Sequence, residues 1–537
     1  MKSLKTLWVP FSIILWVGIS AILFLPLLPI DETRSLSVAW EMWLHKSFIV
    51  PLLNGAPYTH KPPLLFWLIH LSWWIFGVNE ITPRFIPMLF SMGSVFLVYR
   101  ISLLLWPDNE KTAKAAAILL SSTLIWMVRS FLILYEMLLS FWVLVCVFGI
   151  LSVYKTGKTW NWLLVSLGIG GGILTKGPVV LVHVVPLLGL VFWWGGFRKR
   201  PLITWYAKGV VFLILGLLFS ALWVVPAAIE GGEAYRHALL WRQTAERVVD
   251  SFAHRQPAWW YFPILPILFL PWLFVKRAWQ RLFTKERREE IGWKVCVSWF
   301  VSSLVIFSFI SGKQVYYLIP SIPAVILLIA RNIIKWEEMD RSLTWAPRGI
   351  GGGLILLGVV VLFLPMVTLS TNTGTLPWRV VIPVACFLFG VGIFLFFRTF
   401  DSAEGFLKVT AVCVAFTLSF ALGFGGREIL KRYDLKPLAR QIKAKMDEGN
   451  CVAYIGAYHG EFQFLGRLES PLISLKGYSF IEYLKKHPDC VVIDTIRVSN
   501  FGRLKKKAFC YIQPFREERV IFMLRGKTYL DYFLKAE

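Results

Sequence analysis

Charge is scarce in this chain. Only 17% of its residues are Asp, Glu, Lys or Arg, against about 25% in soluble domains. With 57% hydrophobic residues and a mean hydropathy of +0.62, an ordinary soluble globule is excluded and a polytopic membrane protein is indicated. Acidic residues are scarcer still, 32 against 57 basic ones, which leaves a formal charge of +25. No soluble basic module accompanies that excess, which argues against nucleic acid. Lys and Arg gathered in loops beside anionic headgroups account for it. Cysteine is also sparse: the seven residues show no CxxC and no zinc spacing, which excludes a thiolate metal site or a dithiol redox centre. Cys146, Cys296, Cys386 and Cys413 lie in apolar runs. Cys451, Cys490 and Cys510 lie near the C-terminus, where one disulfide is open to an extracytoplasmic region. No Gly-rich phosphate loop is present, so a soluble nucleotide-sugar has no evident binding domain.

Long apolar runs are what the chain does have. Lys2 and Lys5 precede the first of them, which reads as a retained signal anchor. About 13 stretches approach the length of a membrane span. They centre on 8–29, 82–105, 112–129, 132–154, 161–175, 177–195, 206–229, 258–275, 293–311, 315–332, 349–369, 378–398 and 405–424. Placing the N-terminus in the cytoplasm puts the basic clusters at 111–114, 155–158, 198–200, 276–288, 335–348 and 398–408 inside, as the positive-inside rule requires. The C-terminus then lies outside.

Residues 1–426 form the expected membrane domain. Within 31–81, residues 34–46 carry apolar side chains at helical spacing, and residues 63–76 are too short to span; both read as interfacial helices. Asn54-Gly55 between them is a turn. Residues 427–537 alternate helix-like and strand-like runs, the pattern of a small extracytoplasmic α/β domain.

Polar residues converge on one expected face. Asp31 and Glu32 end the first span; an acidic pair there is costly unless it meets water, a cation or a substrate. A carboxylate can serve as general base toward an acceptor hydroxyl, and adjacent helical residues diverge by about 100°, so the assignment is Asp31 as base and Glu32 as positioner. Arg34 is placed either to pair with them or to bind a phosphate. Lys61, before Pro62-Pro63, Lys176 in Thr175-Lys176-Gly177-Pro178, Arg255 and Lys313 bring cations to the same face. Glu136 opens an otherwise uncharged span, which makes it a functional candidate by default and places it with Asp31 and Glu32 among the expected catalytic residues, the alternative being a pair with a local arginine. His60 and His254 are the imidazoles this face offers to a divalent metal. Carboxylates ringed by cations at headgroup depth suit a lipid-linked phosphate donor, whose departing phosphate needs electrostatic stabilisation more than an acid.

Leu28-Pro29-Ile30-Asp31-Glu32-Thr33-Arg34, followed by Asn54-Gly55 and Lys61-Pro62, resembles the protein O-mannosyltransferase and aminoarabinose (lipid A) transferase superfamily, with its GT-C membrane fold. Glu136, Thr175-Lys176-Gly177-Pro178, His254-Arg255-Gln256-Pro257 and Gly312-Lys313 through Pro320 extend the resemblance over roughly 8–335. It implies transfer of a sugar from a polyprenyl phosphate at the extracytoplasmic face of the inner membrane, with Asp31 catalytic and Lys61 on the donor phosphate. His60 stands where the aminoarabinose transferases keep a glutamate, and Glu136 where the superfamily commonly has an aspartate. The expected function is transfer of a monosaccharide from an undecaprenyl-phosphate-type donor to lipid A, another glycolipid or glycan, or a protein. The alternative is a transporter or flippase of a lipid-linked sugar intermediate, a class often marked by internal repeats and by charges deep within spans.

Overall fold

A computed structural model describes residues 6–196, 199–242, 255–280, 282–339, 346–370, 377–426, 430–477, 479–498, 509–516 and 519–533. The protein is a polytopic helical membrane protein. It separates into two compact units. The first comprises Met1–Leu23, Thr59–Val359 and Ala385–Ala421; the second comprises Phe24–Tyr58, Val360–Val384 and Leu422–Glu537.

Among the described residues, eight helices are long and apolar enough to cross a membrane: Thr82–Leu105, Glu136–Thr156, Arg200–Glu230, Ile291–Phe309, Val315–Glu338, Ala346–Met366, Trp378–Phe397 and Ala403–Gly426. The other expected spans are shorter or broken, each for a local reason. Residues 112–129 divide into Glu110–Ser121 and Leu124–Arg129. Ser122 and Thr123 turn their hydroxyls back onto the carbonyls of Ile118 and Leu119, and Leu124 N–H donates to Leu270 O instead of continuing the helix. Residues 258–275 form only short turns, Ala258–Tyr261, Leu265–Leu268 and Trp272–Phe274. Pro263, Pro266 and Pro271 withdraw the N–H groups a longer helix requires.

The Gly-rich stretch forms an intact helix, Trp162–Lys176, packed closely on Glu136–Thr156. A Cβ on Gly168 would lie 2.7 Å from Trp142 O, so only glycine permits this approach of two backbones.

The second unit is built on a five-stranded sheet. Its strands, numbered after the short hairpin β1 (Leu52–Leu53) and β2 (Ala56–Pro57), are β3 (Val452–Ile455), β4 (Ile473–Leu475), β5 (Val491–Arg497), β6 (Tyr511–Phe515) and β7 (Arg519–Arg525), in the order β4-β3-β5-β7-β6. Strand β3 runs parallel to β4 and β5, and β7 pairs antiparallel with β5 and β6. Alternation along β5 feeds two cores. Val491 and Ile493 pack with Leu438 and Ile442 of helix Lys436–Asp447, while Val492 packs on the other face with Leu484 and Tyr529. A Cys451–Cys490 disulfide joins the residues that precede β3 and β5.

Helix Asp31–Leu44 also belongs to this unit. Its sequence pattern shows one apolar face, yet Ser35 to Met42 is buried throughout. Residues 460–468 cover it. Ser37 Oγ donates to Gly460 O at 2.7 Å, and Trp40 Nε1 donates to Leu468 O at 2.9 Å. Gly460 has φ +82, which a side chain would strain, and a Cβ there would come within 3.2 Å of Ser37 Cβ on the helix.

Candidate functional site

In the first unit, two antiparallel helices bring opposite charges together. Glu136 is the first residue of Glu136–Thr156, and Lys176 is the last of Trp162–Lys176. An acid at a helix N-terminus and a cation at a C-terminus are each favoured by the backbone dipole. Gly177, at φ +75, ends the second helix just past the lysine. Lys176 Nζ lies 2.8 Å from Glu136 Oε1, and both side chains are 6% exposed. Arg129, the last residue of Leu124–Arg129, lies 3.6 Å from Glu136 Oε2.

Three tyrosines line the same cluster. Lys176 Nζ stands 4.4 Å from the Tyr316 ring centre and 5.6 Å from that of Tyr317, and Arg129 Cζ stands 5.3 Å from Tyr316. Lys61 Nζ stands 5.4 Å from the ring of Tyr135, the residue before Glu136. Lys61 is placed by Pro62 and Pro63, which lead into helix Leu64–Phe76. Lys61, Arg129 and Lys176 thus surround one carboxylate. Such a surplus of positive charge is suited to an anion such as a phosphate.

Arg255 and Lys313 come together elsewhere in this unit, where Arg255 forms an isolated antiparallel bridge with Gly312. Lys313 is buried, and its ammonium donates to Gln256 O at 2.8 Å and Ile310 O at 2.7 Å. Those carbonyls anchor the 255–257 segment and occupy two of the three ammonium protons.

In the second unit the two adjacent acids part company. The Asp31 side chain is 70% exposed and pairs with Arg34 at 2.9 Å. Glu32 is buried, and its Oε2 accepts from Leu28 N–H at 3.0 Å. One turn of helix therefore leaves Asp31 available and ties Glu32 to the chain before it. Arg34, left open between pairing and phosphate contact, makes the pair.

Further along the same helix, Glu41 is buried and holds the Asn54-Gly55 turn, accepting from both backbone N–H groups. Burial pushes its carboxyl above the ordinary value. Asn54 sits at φ 53 and Gly55 at φ 75, the left-handed pair that a two-residue hairpin favours. The loop that covers the helix carries Glu461, also raised by burial, and His459, which burial and then the Arg34 charge hold below its usual value.

His60 is exposed, and His254 lies outside the described residues. Among the described residues no three of His, Cys, Asp or Glu stand together in a group able to hold a metal. Tyr135, Tyr316 and Tyr317 were not candidates from sequence. Their only signal was aromatic residues within a few positions of Glu136 and Lys313. Glu41 gave no signal at all.

The architecture is shared with a solved structure. ArnT from Cupriavidus metallidurans, solved bound to undecaprenyl phosphate, superposes with a TM-score of 0.73 over 95% of this chain and 96% of that one, at 18% identity. A family model described as dolichyl-phosphate-mannose-protein mannosyltransferase matches residues 60–224, the stretch that holds Lys61, Arg129, Glu136 and Lys176. Curated relatives carry the name undecaprenyl phosphate-alpha-4-amino-4-deoxy-L-arabinose arabinosyl transferase. That of Erwinia tasmaniensis is 30% identical over 317 residues.

The chain is similar in fold to ArnT and, in part, similar in sequence to the arabinosyl transferases.

The Erwinia match covers 57% of this chain and 55% of the relative, so it spans little more than half that protein's length. The Serratia proteamaculans relative is 27% identical over 390 residues, 69% of this chain and 68% of its own. The fold likeness thus extends over nearly the whole chain, and the sequence likeness is partial.

Proposed function

We propose that this protein transfers a monosaccharide from an undecaprenyl-phosphate-linked donor to an extracytoplasmic acceptor, such as lipid A, another glycolipid or glycan, or a protein. The observation that carries this is the set of three cations and three tyrosines around Glu136. Lys61 and Lys176 take the donor phosphate in this reading, and Glu136 holds Lys176 and Arg129 in place while the phosphate is absent. Arg255 and Lys313 lie elsewhere in the unit, where Lys313 holds the 255–257 segment. The tyrosine rings offer flat faces on which a sugar can stack.

Asp31 is the general base. It takes the proton of the acceptor hydroxyl as oxygen attacks the anomeric carbon, and the lipid phosphate leaves with the bonding pair. Arg34 holds that carboxylate, and Glu32 fixes the helix start. The names of the Erwinia and Serratia relatives and the undecaprenyl phosphate in the Cupriavidus structure support the donor class.

The active site and second unit are assigned to the periplasmic side of the inner membrane. Two observations support this: the distribution of Lys and Arg among the loops, and the Cys451–Cys490 disulfide, a bond of oxidising compartments. The test is Asp31→Asn in purified, membrane-reconstituted protein. Transfer should fall by at least about 100-fold, with melting unchanged because Asp31 is exposed. Turnover close to wild type would refute the base assignment. Mass spectrometry of lipids and glycans with and without the gene identifies sugar and acceptor together.

A further inference from the structure

A second polar site lies at the far end of the membrane helices. Tyr316 and Glu337 mark opposite ends of the candidate span Val315–Glu338, roughly 30 Å apart at 1.5 Å per residue. Around Glu337, helices Glu110–Ser121, Ile322–Glu338 and Ala403–Ala421 line a half-open cavity of about 290 Å³. That is near the lower limit of small-molecule sites, about 300 Å³. Its polar lining is Lys111, Glu337, Ser402, Glu404 and Lys408.

These charges balance. Lys111 pairs with Glu337 at 3.4 Å and Lys408 with Glu404 at 2.6 Å. Both pairs are partly exposed, with Lys111 at 65% and Glu404 at 43%. Such pairs contribute little stability and are readily exchanged for other partners. Glu337 is held in place because its Oε1 accepts the Ala403 N–H at 2.9 Å. A neighbouring cluster, Glu290 with Arg287, Arg331 and Lys335, has a net positive charge. Its space is only about 10 Å³, a single water's worth, so it serves the fold. The larger cavity has room and two charges of each sign.

We propose that this cavity binds the zwitterionic headgroup of a phosphoethanolamine lipid, on the membrane face opposite the Glu136 cluster. The lipid phosphate replaces the glutamates as partner of Lys111 and Lys408, and the ammonium replaces the lysines as partner of Glu337 and Glu404. A purely anionic headgroup would meet two carboxylates. A trimethylammonium headgroup lacks the N–H donors that carboxylates accept. Position at a span's end selects a lipid over a soluble ligand.

The test uses the full chain in detergent micelles, with lipid retention read by native mass spectrometry. Equal mole fractions of phosphatidylethanolamine, phosphatidylcholine and phosphatidylglycerol compete for the protein. The ethanolamine lipid should be retained roughly tenfold over each of the others, and this preference should vanish in Lys111→Gln and in Glu404→Gln. Two single variants guard against one that misfolds, and lipid-free melting checks each. Equal retention of the three lipids, preference for the glycerol lipid, or an unchanged preference in both folded variants overturns the proposal. Displacement by soluble glycerophosphoethanolamine as effectively as by the lipid overturns the assignment to a membrane source.

Discussion

Asn54 offers a test in which hydrogen bonding and backbone strain separate. Its side chain makes three bonds to the second unit's α/β domain. Nδ2 donates to Leu472 O at 2.9 Å, and Oδ1 accepts from Leu472 N at 2.8 Å and from Gln463 Nε2 at 2.6 Å. Each such bond contributes about 0.5–1.5 kcal/mol net. Asn54→Gly keeps the φ of 53 without strain and removes all three, so it should cost about 2–4 kcal/mol. Asn54→Ala adds about 1–2 kcal/mol for a Cβ in the left-handed region. Asn54→Asp keeps the acceptor and loses one donor, and should lie between Gly and wild type. Tryptophan-fluorescence melting in a fixed detergent gives the order, and limited proteolysis near residue 54 should follow it. Stability of Asn54→Gly equal to wild type would show that these bonds do not hold the hairpin and would refute the reasoning.

Breaking the buried Glu136–Lys176 pair from either side should cost about 3–5 kcal/mol. Glu136→Gln with Lys176→Met should cost less than the sum by over 1 kcal/mol, and a strictly additive cycle in denaturant titration would count against the pair. Cys451→Ser with Cys490→Ser opens a link between residues 39 apart; loop entropy puts the loss near 4 kcal/mol, and an unchanged melt with and without reductant would contradict it. Burial raises Glu41 above its ordinary 4.5, so folding favours its protonated form. The stability this contributes is complete below about pH 4.5 and lost as pH rises through the folded-state pKa. Glu41→Gln should therefore gain on wild type between pH 4 and pH 7 in paired melts, and a constant difference would refute the sign.

The helical membrane class was legible because long apolar runs with few charges leave little choice. Glu136 and Lys176 stood out because each breaks such a run at its end. Their pairing did not, since 40 residues separate them and periodicity says nothing of which helices become neighbours. The breaks at Ser122-Thr123 and at Pro263, Pro266 and Pro271 were readable residue by residue, but hydropathy averaged over them. Helix Asp31–Leu44 shows the deeper limit. Its apolar stripe predicted a helix with one dry side. What covers the rest comes from residues 460–468, and no local pattern announces a partner that distant.

That distance governs when the protein can become complete. The bond from Ser37 to Gly460 spans 423 positions. At about 5–20 residues per second, synthesis needs roughly 20–85 s to deliver the second residue after the first. Throughout that interval the helix bearing Asp31 waits without its cover, with Ser37 and Glu41 unsheltered. A chain halted before residue 460 therefore has its spans yet lacks the support of its proposed base. On the proposed assignment, the support of Asp31 is thus completed late in synthesis, only once residues 460–468 have been made.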